Sequence, residues 1–202
     1  MTAIDSKSVG DPDRFRSFAD LEKMLQALPG SGEDRGRVAL LMTRHVGGRR
    51  EVLDRVELTP ETGVPGDAWG RAKRPKRDMQ IAVMQKDIAE LIANGQPLSL
   101  FGDCLILDLD LSAANLPPGS RVRVGAALLE VTPFPHNGCQ KFRARFGDGA
   151  LKLVWAPELR HLNLRGTYMC VVEGGEVGTG DAVEVIFRPA EAKADMMVSA
   201  LP

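Results

Sequence analysis

Of the three cysteines in the chain, Cys104, Cys139 and Cys170, only Cys139 stands where a thiol would become reactive. It lies in the run Thr132 to Gly147, T-P-F-P-H-N-G-C-Q-K-F-R-A-R-F-G. Pro133 and Pro135 exclude a regular helix or a central strand, Asn137-Gly138 is turn chemistry, and Phe142 and Phe146 then recur at i, i+4. The pattern predicts strand, rigid loop and short helix, with Cys139 in the helix's first turn. Unpaired backbone N–H groups and the helix dipole favour an anion there, and Lys141, Arg143 and Arg145 add positive charge, so a thiolate is favoured. His136, three residues upstream, is placed to take the thiol proton or to orient a ligand. A plainer reading has Cys139 packed as a small hydrophobe and His136 capping a turn. Cys104 and Cys170 sit in apolar strand contexts and read as core. His161 reads as a structural histidine, and the histidines and cysteines show none of the paired spacings of a zinc site.

A loop of this kind needs a scaffold to hold it. Phe15 to Leu28 puts Phe18, Leu21, Met24, Leu25 and Leu28 on one helical face, with Ser17 as the N-cap. Val38 to Thr43 reads as a buried strand, Gly47-Gly48 as a hairpin turn, and Arg49 to Leu58 as a half-exposed strand. Thr59 to Gly70 is dense in turn residues and reads as an ordered loop. The basic run Arg71, Lys73, Arg74, Lys76, Arg77 is either a solvated face or one wall of an anion pocket. Met79 to Met84 is a strand candidate, Gln85 to Ala93 a helix closed by Asn94-Gly95, and the strand-like stretch C-L-I-L-D-L-D-L ends at Leu111. Two strands joined at Gly125 fill Ser120 to Val131. Short helical turns are expected over Ala150 to Val154 and Pro157 to Leu162. Strands follow over Arg165 to Val172 and Val183 to Arg188, with a hairpin turn at Glu173 to Glu176. Many short strands with inserted helices define a mainly β fold, a β-barrel or strongly curved sheet.

At 202 residues and 44% hydrophobic content the chain has ample material for a core. The expected division is a lead-in with an amphipathic helix over residues 1–37, the barrel over 38–188, and a surface tail over 189–202. A net charge of −1 argues against a nucleic-acid partner bound through a global positive field. No apolar run approaches a membrane span, and the polar first ten residues show no secretory signal. A cytoplasmic setting with free thiols is the expectation. No glycine-rich dinucleotide or nucleoside-triphosphate loop is present.

Four segments, taken in order, carry a resemblance: G-V-P-G-D (Gly63 to Asp67), F-G-D-C-L-I-L-D-L-D-L-S-A-A-N-L-P-P-G (Phe101 to Gly119), L-L-E-V-T-P-F-P-H-N-G-C-Q-K-F (Leu128 to Phe142) and R-G-T-Y-M-C-V-V-E-G-G-E-V-G-T-G-D (Arg165 to Asp181). Together the chain resembles the MOSC domain, the C-terminal domain of molybdenum cofactor sulfurases, also found as free-standing bacterial proteins. The resemblance implies a β-barrel of the pyruvate-kinase type whose characteristic cysteine matches Cys139. It implies the molybdenum cofactor as ligand, with Cys139 either ligating molybdenum or carrying persulfide sulfur. A phosphate-bearing pterin would draw on Lys141, Arg143, Arg165 and the basic run, in a mouth where Asp67, Asp103 and the Cys139 loop converge. One functional expectation is reduction of small N-hydroxylated compounds. The other is a sulfur-carrier or cofactor-delivery module without turnover. Either would use an electron-donor or sulfur-donor protein as partner. A cysteine hydrolase, with Cys139 as nucleophile and His136 as base, is the third.

Overall fold

The computed structural model describes residues 3–4 and 9–190. Along the chain run β1 (Ala3–Ile4), α1 (Phe18–Gln26), β2 (Arg35–Arg44), β3 (Arg50–Leu53), β4 (Arg55–Leu58), β5 (Ile81–Gln85), α2 (Lys86–Ala93), β6 (Leu105–Leu107), β7 (Arg121–Val124), β8 (Ala127–Val131), α3 (Gln140–Trp155), β9 (Thr167–Glu173), β10 (Gly175–Gly178) and β11 (Ala182–Phe187). Seven strands close on themselves in the order β2-β11-β7-β8-β9-β5-β6, with β6 pairing back to β2. Neighbours are antiparallel except β5 and β6, which run parallel because α2 crosses over between them. Closure leaves the barrel without a free edge.

Strand β2 is long enough to serve three partners. Residues 35–37 pair with β11, 38–41 with β6 and 41–44 with β3. The last pairing forms the β2–β3 hairpin, with Arg44 opposite Arg50. The segment read as one strand over 49–58 is broken at Asp54, because β4 leaves β2 and pairs with β10 in a separate ribbon. The strand expected to reach Leu111 stops at Leu107. Beyond it, Asp110 takes the amide and hydroxyl of Ser112, a turn that ends the extended run.

Inward side chains such as Leu41, Val83, Leu105, Val122, Leu129 and Val171 fill the barrel. A second core lies outside it, where Met84 and Ile106 meet Leu21, Ile88, Phe142 and Phe146 from the three helices. Strands β5 and β6 are therefore buried on both faces, which is why they read as unbroken apolar runs. Helix α1 begins at the expected N-cap, Ser17 accepting from the Asp20 amide. The lead-in is tied down where it is described: the Gly10 amide donates to Ala144 O at 3.0 Å. Residues 1–2, 5–8 and 191–202, covered by the expectations for lead-in and tail, lie outside the described residues.

Helix α3 departs most from expectation. Its 16 residues form two arms, because Gly147 between them has φ 84° and ψ 176° and the chain folds back there. Only glycine adopts that φ readily, and a Cβ there would lie 2.8 Å from the Phe15 ring. The two arms match the short helix and the separate helical turn read from the sequence. The fold-back brings Trp155 to Gly138, where its indole N–H donates to the carbonyl at 3.0 Å.

Candidate functional site

Cys139 is the N-cap residue of α3, with φ −130° and ψ 177°, and it is exposed. The helix starts there because the preceding Pro-His-Asn-Gly loop cannot continue one, and because Phe142 and Phe146 anchor its first arm. Their rings pack on Phe101, with centroids 6.1 Å and 4.2 Å away.

In front of the thiol lies a cavity of about 270 Å³, walled by Arg44, Arg50, Arg145, Arg165 and Lys141, with Phe101, Gly102 and Phe142 as its apolar side. The five cations arrive from four parts of the chain. Arg44 and Arg50 stand at the facing ends of β2 and β3, Lys141 and Arg145 lie one turn apart on α3, and Arg165 precedes β9. Gly102, with φ 77°, lets the chain pass beneath them. A Cβ there would lie 3.1 Å from Arg50 Nε and 3.7 Å from Arg145 Nη1.

The four arginines divide into two pairs. Arg165 Nη1 donates to both oxygens of Asp103, at 3.0 and 2.9 Å, and the Asp103 side chain is 0% exposed. Arg44 donates to Asp67 from its amide (2.8 Å), Nε (3.0 Å) and Nη2 (2.7 Å). Burial alone would raise the Asp67 carboxyl, but the Arg44 fork and charge hold it below the usual carboxylate range. Arg50 and Arg145, only 4% and 8% exposed, have neither an ion pair nor a side-chain hydrogen bond among the described residues. Burial and the neighbouring Arg145 charge push the Arg50 guanidinium down to about 10, and burial lowers Arg145 as well. Two buried cations with no direct ion pair, feeling the charge of an Asp103 already bonded to Arg165, are costly unless an anion joins them.

The structure sorts the residues read from the sequence. Cys139, Lys141 and Arg165 line this cavity, while Asp67 and Asp103 sit behind it as the fixed partners of Arg44 and Arg165. Arg143 is not among the lining residues. Two positions from 141 and from 145 on the helix, it faces away and pairs with Asp148. The basic run is not a wall of the cavity either. Arg71 donates to the carbonyls of Gly66 and Arg44, holding the Thr59 to Gly70 loop against the hairpin, and Lys76 lies over the Phe134 ring at 5.3 Å. Arg44 and Arg50 were missed by sequence reading, although arginines flanking the Gly47-Gly48 turn were a usable signal.

His136 does not face the thiol. Its ring lies 4.3 Å from that of Tyr168, and Nδ1 stands 3.6 Å from Asp103 Oδ1, too long for a hydrogen bond. Burial, reinforced by the Arg165 charge, pushes the imidazole down to about 3. It is neutral at pH 7, and its contacts among the described residues are with Tyr168 and Asp103, none of them with Cys139. Because its folded value lies below the ordinary 6.5, the unfolded chain binds a proton that the fold refuses. Stability should therefore fall as the pH drops from about 6.5 towards 3, by roughly 1.4 kcal/mol per unit from this group. Acid titration of unfolding should be visibly shallower in His136→Gln; an unchanged slope would mean that another group carries it.

Burial pushes the Cys104 thiol up to about 11 and raises Cys170 as well, whereas Cys139 is exposed. Limiting iodoacetamide should modify Cys139 first, by more than about tenfold over either of the others. Mass mapping that finds Cys104 or Cys170 labelled ahead of it would overturn this order.

Fold and cavity together define a closed, mixed β-barrel protein that sets one accessible thiol among arginines. The MOSC domain model matches residues 79–184, over half of the chain, and the chain belongs to the MOSC domain family, a domain known in molybdenum-cofactor-binding proteins. Solved structures share the fold. The YuaD protein of Bacillus subtilis is 17% identical with a TM-score of 0.56, covering 75% of this chain and 95% of that one. YiiM of Geobacillus stearothermophilus is 16% identical (TM-score 0.52, 78% of each chain). YiiM of Escherichia coli is 21% identical (TM-score 0.51, 82% of this chain and 79% of that one). No curated protein matches the chain. Among the described residues, no helix is long and apolar enough to cross a membrane, and no three His, Cys, Asp or Glu side chains gather as metal ligands.

Proposed function

We propose that the cavity binds the molybdenum cofactor, with the Cys139 sulfur as the protein's ligand to molybdenum, and that the protein reduces small N-hydroxylated compounds. The observation that carries this reading is an exposed thiol beside two buried arginines that make no ion pair among the described residues. The residues fit the group. Sulfur is the soft donor molybdenum prefers, Arg50 Nη1 is a buried donor without a partner, and Gly102 keeps the floor clear for a compact anion. Bound there, the cofactor would supply the two-electron chemistry at its metal.

The chain's own residues do the rest. Arg50, Arg145 and Lys141 hold negative charge, as a phosphate requires. Asp103 and Asp67 fix Arg165 and Arg44 so that these add potential without swinging into the cavity. In the reaction an N–O bond breaks, two electrons and two protons enter, and the amine and water leave. The electrons come from a donor protein. The basic run, exposed and without ion pairs among the described residues, gives an acidic donor a face beside the cavity.

The exposed thiol equally supports a second reading, in which Cys139 carries sulfane sulfur as a persulfide and no molybdenum cycles. One experiment separates them: molybdenum, pterin and sulfane sulfur per chain, with reduction of an N-hydroxylated base, on protein from a host that makes the cofactor. Stoichiometric molybdenum with turnover supports the reductase. If no preparation carries molybdenum while Cys139 loads with sulfur, the carrier replaces it.

A further inference from the structure

Behind the Cys139 loop a second cavity of about 300 Å³ opens between the loop, the returning arm of α3 and the turn over Pro157–Leu162. The two cavities have one lining residue in common, Arg165. No carboxylate lines the second one, and of its two cations, Arg160 and Arg165, the latter is paired behind the wall with Asp103. Arg160 is exposed and makes no ion pair among the described residues. Two buried nitrogens in its wall lack hydrogen-bond partners: Nε of Arg165, whose side chain is 10% exposed, and Nδ1 of His136, at 7%. Asn137 and Asn163 add polar groups to the lining, and Leu159 with the half-exposed indole of Trp155 supplies an apolar, aromatic side.

We propose that this cavity binds a small planar anion of the aromatic-carboxylate class, and that its occupancy is felt at Cys139 through Trp155. The charge follows from Arg160, exposed and without an ion pair among the described residues, and from Arg165, whose Nη1 is held by Asp103 but whose Nε–H has no partner. The planar ring follows from the Trp155 and Leu159 surfaces and from a volume at the lower end of small-molecule sites, enough for one ring. The coupling follows from packing. Trp155 Nε1 is bonded to the carbonyl of Gly138, the residue before the thiol. A Cβ on Gly138 would sit 2.8 Å from Val154, 2.9 Å from Leu151 and 3.2 Å from Trp155 Nε1, so the loop cannot shift without the helix arm. A ligand that reorients the indole therefore alters the loop bearing Cys139. None of this rests on the cofactor reading.

The test uses the ligand-free full chain in a Trp69→Phe background, which leaves Trp155 as the sole indole of the two in the sequence. Benzoate, benzamide and benzylamine are titrated in turn, following Trp155 emission and the rate of Cys139 alkylation. Benzoate should give a saturable change with half-saturation on the order of 1 mM. Arg160→Gln, an exposed position, should weaken it severalfold, and benzylamine should give none. At saturation the alkylation rate should change about fivefold. An equal response to all three ligands, or one untouched by Arg160→Gln, would overturn the site. Saturable benzoate binding with an unchanged alkylation rate would overturn the coupling. Since no molybdenum enters the experiment, failure here is distinct from failure of the reductase reading.

Discussion

Truncating Arg165 to alanine is expected to cost about 3–5 kcal/mol of folding stability, because it strands a carboxylate that water cannot reach. Asp103 is 0% exposed and receives both of its short contacts, 3.0 and 2.9 Å, from Arg165 Nη1. Asp103→Asn should be costly too, since it leaves Arg165 buried beside Arg145 with its counter-charge gone. The double replacement Arg165→Met with Asp103→Leu should recover much of the loss, as an apolar pair of similar volume carries no desolvation penalty. Denaturant unfolding at constant m-value reads all three, and the cycle gives the coupling directly. A loss below about 1 kcal/mol for Arg165→Ala would mean that the pair behaves as a solvated surface bridge. Arg165 is on this account a structural cation of the site, so its removal is a poor probe of ligand binding.

Which cations serve the site was only half legible in the sequence. The barrel could be read because many short, turn-bounded strands leave few alternatives, and the place of Cys139 because Pro135, Asn137 and Gly138 stop any element before it. Local residues decided both. Arg44 and Arg50 meet only through the register of β2 against β3, a non-local fact that no window around either residue contains. Arg143 and Arg145 could not be told apart until the burial of Phe142 and Phe146 fixed the helical phase, which turns 145 to the cavity and 143 to Asp148. His136 looked like a partner for the thiol because three residues separate them. The tertiary stack on Tyr168 decided otherwise. The bend at Gly147 was visible as two helical segments, but what the bend achieves, Trp155 against Gly138, was not.

Cys139→Ser is expected to abolish turnover while leaving part of the pterin bound, whereas Arg50→Met should empty the site and leave the fold as stable as before or more so. On the proposed function, serine would offer a hard, protonated oxygen where molybdenum needs a soft donor, so the bond at the metal would be lost while Arg50, Arg145 and Lys141 would still hold a phosphate. Removing Arg50 does the reverse. Its folded value of about 10 lies below the ordinary 12.5, so at neutral pH its charge opposes folding, and only above about pH 10 would that opposition fade. Methionine takes away a buried charge that has no partner, so the ligand-free variant should not lose stability and should gain about 1–2 kcal/mol at best. The same substitution removes a charge-assisted contact, worth about tenfold or more in occupancy, and the deficit should widen at high salt as the remaining cations are screened. Molybdenum and pterin per chain, turnover of an N-hydroxylated base and thermal unfolding without ligand, measured on wild type and both variants, separate the two roles. A ligand-free Arg50→Met protein that is markedly destabilised would show that Arg50 holds the β2–β3 hairpin together instead of waiting for an anion. Equal loss of pterin in both variants would show that thiol and arginines do not divide the work between metal and phosphate.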